Sequence, residues 1–343
     1  RRMTVVVTGA SGHLGTNLVH ELLARGESVR ALVHRSSASL TALGVEQVAG
    51  SVTEAASLVA AFTGARRVYH LAGVISLDGD PEGRVQRVNV GGTAKVARAC
   101  LDAGVERLIH VSSVHAYDQR PLDRPLDETR PQVADSIHHS AYDRSKAASE
   151  KVVREAIEQG LDAVIVNPTG IMGHIDHGPS RLGQLLLDLA ARKLPALLDG
   201  GFDFVDVRDV VAGTLAAAER GQTGSNYILG NTWYSLWELA GIASSVTGVP
   251  APRLVTPVWT ARLGVPIAKL VAKLGDKEAT MTHESLDVLM SNRSISSERA
   301  KRELDYRPRP LAETVRDAYR WFAGQGMVDR RVGARVLARA SAL

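Results

Sequence analysis

One octapeptide restricts this chain more than any other: Thr8-Gly9-Ala10-Ser11-Gly12-His13-Leu14-Gly15, set between a β-branched run at 4–8 and a helical pattern at 14–25. Glycines at this spacing, in a strand-turn-helix setting, have separate duties. Gly9 permits the tight turn, Gly12 lets the backbone approach a pyrophosphate, and Gly15 allows the helix to pack against the strand. The helix start then offers amides and partial positive charge to phosphates. The loop is therefore expected to hold a dinucleotide through Gly9, Ser11, Gly12, His13, Leu14 and Gly15.

The same rhythm continues downstream. Apolar runs at 29–33, 67–72, 107–111 and 163–166 alternate with helical stretches around 53–62, 85–103 and 142–159. Such alternation predicts an α/β fold, a doubly wound parallel sheet of the Rossmann type whose ligands sit at the carboxyl ends of the strands. After Gly170 the pattern loosens, with helices expected at 181–192 and 207–220. The expected organisation is a dinucleotide-binding domain over 3–180 and a smaller, mainly helical substrate lobe over 181–326, followed by a basic tail over 327–343. No low-complexity linker separates the halves, so the lobe is read as interleaved with the first domain around 202–230.

Composition excludes several classes. With 45% hydrophobic and 23% charged residues among 343, the chain can bury a large core. Its net charge of +4 suggests an anionic partner, but Arg1 and Arg2 carry +2 and residues 327–343 carry +3, leaving −1 on residues 3–326. The basicity thus belongs to two ends expected to be frayed, and makes no case for nucleic acid. Four Phe, seven Tyr and four Trp are too few for a base-stacking surface. Cys100 is the single cysteine, which leaves no disulfide and no cysteine set for structural zinc. No charge-free window reaches the ~18 residues of a membrane span. The N-terminal region has no apolar signal-peptide core, so a cytoplasmic protein is expected.

The chemistry is carried by two further segments. Tyr142-Asp143-Arg144-Ser145-Lys146 places a phenol and an ammonium one turn apart on a helix. A lysine there is expected to favour the phenolate and lower a pKa that starts near ~10, so that Tyr142 exchanges a proton with a substrate oxygen. The Val111-Ser112-Ser113-Val114-His115-Ala116-Tyr117 segment brings hydroxyls out at the carboxyl end of a strand.

Together with the glycine loop, these motifs resemble the short-chain dehydrogenase/reductase superfamily, in its extended, epimerase/dehydratase branch. The dihydroflavonol-reductase-like and hydroxysteroid-dehydrogenase-like members are the most similar. The resemblance implies hydride transfer between a nicotinamide and a carbonyl or secondary alcohol carbon of a small substrate, and the apolar stripe from Trp259 to Leu274, where it lines the pocket, makes an apolar one the expectation. It assigns Ser113, Tyr142 and Lys146 to catalysis, with Tyr142 and Lys146 also touching the cofactor. Asn89, in Asn89-Val90-Gly91-Gly92-Thr93, matches a helix start of the superfamily and is expected to order backbone beside the cofactor. Leu71, Ala72 and Gly73 are expected against the nicotinamide half, and Pro168 and Thr169 on the turn that flanks it. At Ser51-Val52, relatives carry an aspartate for the adenine amine, so serine is a departure. The substrate pocket is expected from Ser113, Val114, His115, Tyr142, Asn167, Met172 and His174. Ser296 to Pro308 resembles the closing helix and turn of the branch.

Val33-His34-Arg35-Ser36 lacks the carboxylate of an NAD ribose clamp, and Arg35 with His34 can pair with a 2′-phosphate. NADP is the expected cofactor, with NAD the alternative. His138, His139, His174 and His177 are read as loop histidines, and no metal is expected. The apolar stripe from Trp259 to Leu274, interrupted by Gly264 and Pro266, is read as a cap on the pocket or a surface for a second copy in a homodimer. Two other functions share parts of this pattern. A nucleotide-sugar epimerase or dehydratase would use transient hydride transfer, and a non-catalytic dinucleotide sensor would lose the Ser/Tyr/Lys set.

Overall fold

Val5, Val6 and Val7 are all buried, which a strand achieves only when both faces of its sheet are covered. The computed structural model describes residues 4–76, 79–136, 138–265 and 282–340. In it β1 (Thr4–Thr8), β2 (Ser28–Val33), β3 (Glu46–Ala49), β4 (Ala65–His70), β5 (Arg107–Val111) and β6 (Ala163–Pro168) form a parallel sheet with a late strand, β10 (Asn226–Leu229). The order is β10-β6-β5-β4-β1-β2-β3. The reversal of direction lies between β1 and β4, beside the glycine loop, and there a doubly wound sheet opens a crevice.

Alternation sorts the strands' side chains onto two cores. Val6, Leu32, Val68, Leu108 and Ile165 pack on one face with α3 (Ala55–Phe62), α4 (Gly92–Ala103) and α5 (Ala141–Glu158). Val5, Val7, Ala31, Tyr69, Ile109 and Val164 pack on the other with α1 (His13–Ala24) and α7 (Val207–Arg220). The predicted stretch at 85–103 splits: residues 86–91 wind as a wider π-turn before α4 begins.

After β6 the chain leaves the large sheet. β7 (Gly170–Met172), β9 (Gly201–Asp206) and β11 (Thr232–Ser235) form a second sheet in the order β11-β9-β7, while the short β8 (Leu197–Leu198) pairs with residues 255–256. It packs with α6 (Arg181–Ala190), α8 (Leu236–Thr247) and the helix Leu311–Gly324 around Met172, Leu186, Phe204, Leu239 and Tyr319. Residues 258–265 are helical, and the remainder of the 259–274 stripe lies outside the described residues.

The 327–343 segment corrects the expectation of a frayed tail. Arg330–Ala340 is a helix whose Val336 is buried in the second core and whose Arg335 guanidinium donates to the Thr247 carbonyl at 3.2 Å. Val336 and Gly333 are buried while Arg331 is exposed, so positive charge and order coexist on one helix. Among the described residues no helix is long and apolar enough to cross a membrane.

The start of α1 shows why the loop needs glycine. At Gly15 an added Cβ would lie 2.1 Å from the Gly9 carbonyl oxygen and 2.8 Å from the Ala10 Cα. Gly15→Ala must therefore push helix and turn apart, and is expected to lower stability by about 1–3 kcal/mol in chemical denaturation.

Candidate active site

Ser113 leaves β5 in an extended conformation and caps a short turn, Val114–Ala116, by accepting from the His115 amide at 3.2 Å. Opposite it, Ser140 caps α5 through the Asp143 amide at 3.0 Å. The first turn of α5 then presents Tyr142 beside the Ser113 hydroxyl. Lys146 follows one turn later, buried, with Nζ donating to the Val111 carbonyl at 3.1 Å and standing 5.9 Å from the centroid of the Tyr142 ring. The structure thus brings Ser113, Tyr142 and Lys146 together at the carboxyl end of β5.

Electrostatics here differ from the simple expectation that Lys146 depresses the phenol. Burial pushes the Tyr142 pKa up to about 12, against the pull of the Ser113 hydroxyl, and Asp143 adds to the rise. Burial also brings Lys146 down to about 8, opposed by Glu150. The physical reason is that both groups are desolvated and that the ammonium is anchored on the Val111 carbonyl. Tyr142 is therefore a protonated phenol at neutral pH, the form that donates.

Glu150 was not singled out in the sequence. It continues the Tyr142 and Lys146 face of α5 at the same four-residue interval, which was its one available signal. Its carboxylate, 0% exposed, accepts from Asn167 Nδ2 at 2.6 Å, Asn226 Nδ2 at 2.8 Å, Arg154 Nη2 at 3.2 Å and the Gln132 amide. Asn167 also donates to the Ser113 carbonyl at 3.0 Å.

The side chains expected to line the pocket are placed in different surroundings. Asn167 is fully buried in that network, Met172 is fully buried in the second core, and Val114 packs with Tyr117, Leu126 and Ile228. An amide with several buried partners and two apolar side chains in dry clusters have no surface left for substrate. Ser113, His115 and Tyr142 keep side chains at the site. His115 Nδ1 lies 3.5 Å from Asp143 Oδ1, and its ring centroid 6.4 Å from that of Tyr142. The carboxylate that the 111–117 segment lacks thus arrives from α5. His174 turns towards the glycine loop, its carbonyl bonded to His13 Nε2 at 3.0 Å and Asn17 Nδ2 at 3.1 Å.

On the cofactor side, Gly9 has φ +70°, and a Cβ there would strike the Ala72 amide at 2.7 Å. Leu71 and Ala72 bond back to Thr8, through the carbonyl at 3.2 Å and the hydroxyl at 3.3 Å. At Gly12 an added Cβ would meet only the Gly9 carbonyl, at 3.4 Å, and Ser11 and Gly12 are exposed. The loop therefore offers an open face of backbone that fits a pyrophosphate. Gly73 is exposed as well, and a Cβ there would face Asn89 Oδ1 at 3.4 Å and Lys146 Nζ at 3.7 Å. Asn89 itself clamps Val74, with Oδ1 accepting from its amide at 2.7 Å and Nδ2 donating to its carbonyl at 2.9 Å, and also reaches Ser145.

Other expected contacts are engaged elsewhere. The Ser51 hydroxyl pairs with Thr53 at 2.7 Å, and Val52 packs inward beneath α4, where a Cβ on Gly92 would meet it at 2.8 Å. Thr169 donates to Asp203 at 2.7 Å, and Pro168 ends β6 beside Leu229. His34 and Arg35 are exposed, and Arg35 makes no ion pair among the described residues. Among those residues no group of three His, Cys, Asp or Glu side chains is gathered to hold a metal ion. His177 stacks edge-on against Trp321.

Comparison with known proteins agrees with this arrangement. A family model described as "NAD dependent epimerase/dehydratase family" matches residues 5–230. The chain belongs to that family. It is 37% identical over 335 residues to "Sterol demethylase protein B" of Methylococcus capsulatus, covering 95% of this chain and 100% of the relative. It is 32% identical to a "Putative dihydroflavonol 4-reductase" of Synechocystis, covering 94% and 95% of the two chains. Among solved structures, that of gox2253 superposes with a TM-score of 0.82 at 33% identity, covering 95% of this chain and 100% of that one. The chain is an NAD(P)-dependent oxidoreductase on a Rossmann-type sheet with a helical C-terminal region.

Asn89→Ala would leave the Val74 amide and carbonyl without their partner. Thermal and denaturant unfolding should show a loss of about 2 kcal/mol.

Proposed function

We propose that the protein is a reductase, preferring NADP, that acts on a carbonyl carbon of a small apolar substrate and runs in reverse on the corresponding secondary alcohol. The observation that carries this reading is the meeting of Ser113, Tyr142 and Lys146 beside the open glycine loop. The bound nicotinamide supplies or accepts the hydride. The Ser113 hydroxyl donates to the substrate oxygen, and Tyr142 gives that oxygen its proton as hydride arrives at carbon. Lys146, charged in this state, stabilises the phenolate left on Tyr142, and beside Gly73 it would help to hold the nucleotide through its ribose. The reductase name of the Synechocystis relative supports a net redox reaction. Arg35, exposed at the end of β2 with no carboxylate beside it in 33–36, supports a 2′-phosphate.

One observation favours a second reading. The His115–Asp143 pair beside Tyr142 is a further acid/base group of the kind an epimerase or dehydratase would use. Stoichiometric consumption of nicotinamide separates the two, because a transient hydride leaves none consumed.

A panel of carbonyls and alcohols with NADPH, NADP, NADH and NAD, followed at the nicotinamide absorbance, tests the reading directly. Tyr142→Phe should cut turnover by about a thousandfold while nucleotide affinity stays nearly unchanged. Arg35→Ala should weaken NADPH by about tenfold and leave NADH alone. Full activity of the Tyr142 variant overturns the mechanism, and a native preference for NADH overturns the cofactor choice.

A further inference from the structure

We propose that Glu150 is a positioning residue for Lys146 and Ser113, a buried anion that keeps the lysine charged and ties it to the serine loop through Asn167. The inference rests on the mechanism above, in which Lys146 acts as an ammonium. Glu150 stands one turn beyond Lys146 on α5, at the spacing where helical side chains are neighbours. It is fully buried, and four donors from four parts of the chain converge on it: Gln132, Arg154, Asn167 and Asn226. Four donors match the lone pairs that a carboxylate presents.

The other groups facing Lys146 cannot replace that charge. From β4, His70 is bonded between Thr8 at 2.8 Å and Thr93 at 2.9 Å. From β5, His110 reaches Ser149 at 3.3 Å. Burial holds both rings well below their usual range, so they are neutral near pH 7. The Tyr142 ring and the Val111 carbonyl complete the surroundings. Arg154 is the one cation in the network, and its side chain is 40% exposed. It pairs with Glu150 from the solvent side and shares Asn226, whose amide also bonds Asn167 at 2.9 Å. Asp143, one turn before Lys146 on α5, lies against His115 at 3.5 Å, whereas Glu150, one turn beyond, is fully buried; it makes no direct ion pair with Lys146, so its charge acts across the turn, and Asn167 joins it to the Ser113 carbonyl.

The test uses the two charges against each other. Glu150→Gln removes the anion and should lower the Lys146 pKa, so that the alkaline fall in kcat/KM begins about one pH unit lower than in the parent. Arg154→Gln removes the competing cation and should move the same limb upward by a smaller amount. A structural role alone would weaken both variants without moving their limbs in opposite directions. A second readout needs no turnover: NMR titration of the 13C-labelled lysine side chains without nucleotide, with Lys146 assigned by Lys146→Arg. It should show the same two displacements. Limbs that stay in place, or shift together, overturn the proposal. If Glu150→Gln does not fold, Arg154→Gln decides alone, and the absence of an upward shift is then the negative result. If Tyr142→Phe retains full turnover, the mechanism itself fails. If that variant is inactive and the Lys146 titration is unmoved, only the role of Glu150 fails.

Discussion

Seven parallel strands covered on both faces leave no solvated side on the large sheet, and the rest of the structure follows from that constraint. Backbone polarity is consumed within the ladder, and side chains on both faces are committed to packing. Chemistry is confined to the rim where the strands end. There Thr8, His70, Val111 and Pro168 give way to the glycine loop, the 71–74 segment, the Ser113 turn and the 169–173 turn. Ser113, Tyr142, Lys146, Gly73 and the glycine loop all lie within a few residues of one of these strand ends or in the first turns of a flanking helix.

The fold was legible because its signals are local. Continuous apolar runs at β1, β2, β4 and β5, helical periodicity between them, and glycines at fixed offsets all reflect rules that act within about ten residues. The Ser113, Tyr142 and Lys146 set was legible for a related reason, since the motif spacing on one helix and the strand end each carry their own meaning.

What lay beyond local reading was the set of partners. Asn167 looks like a pocket residue when the 166–173 turn is considered alone, and its true surroundings come from α5 and β10. Met172 reads as a pocket residue until it is seen to end a strand of the second sheet, inside that sheet's core. The phenol and ammonium pKa values depend on how much water the completed fold removes, a quantity that motif spacing does not encode. The C-terminal arginines suggested a loose end because net charge says nothing about which side of a helix bears it.

Strand β10 has a consequence for how the molecule is assembled. It is made after the whole of the second sheet's β7 and β9, yet it returns to pair with β6 and brings Asn226 to Glu150. Until residue 229 is in place, β6 is an edge with unpaired backbone and the buried Glu150 carboxylate lacks one of its donors. The large sheet is therefore not completed by its first six strands alone, and a change that loosens its outer strand reaches the Ser113 carbonyl through Asn226 and Asn167.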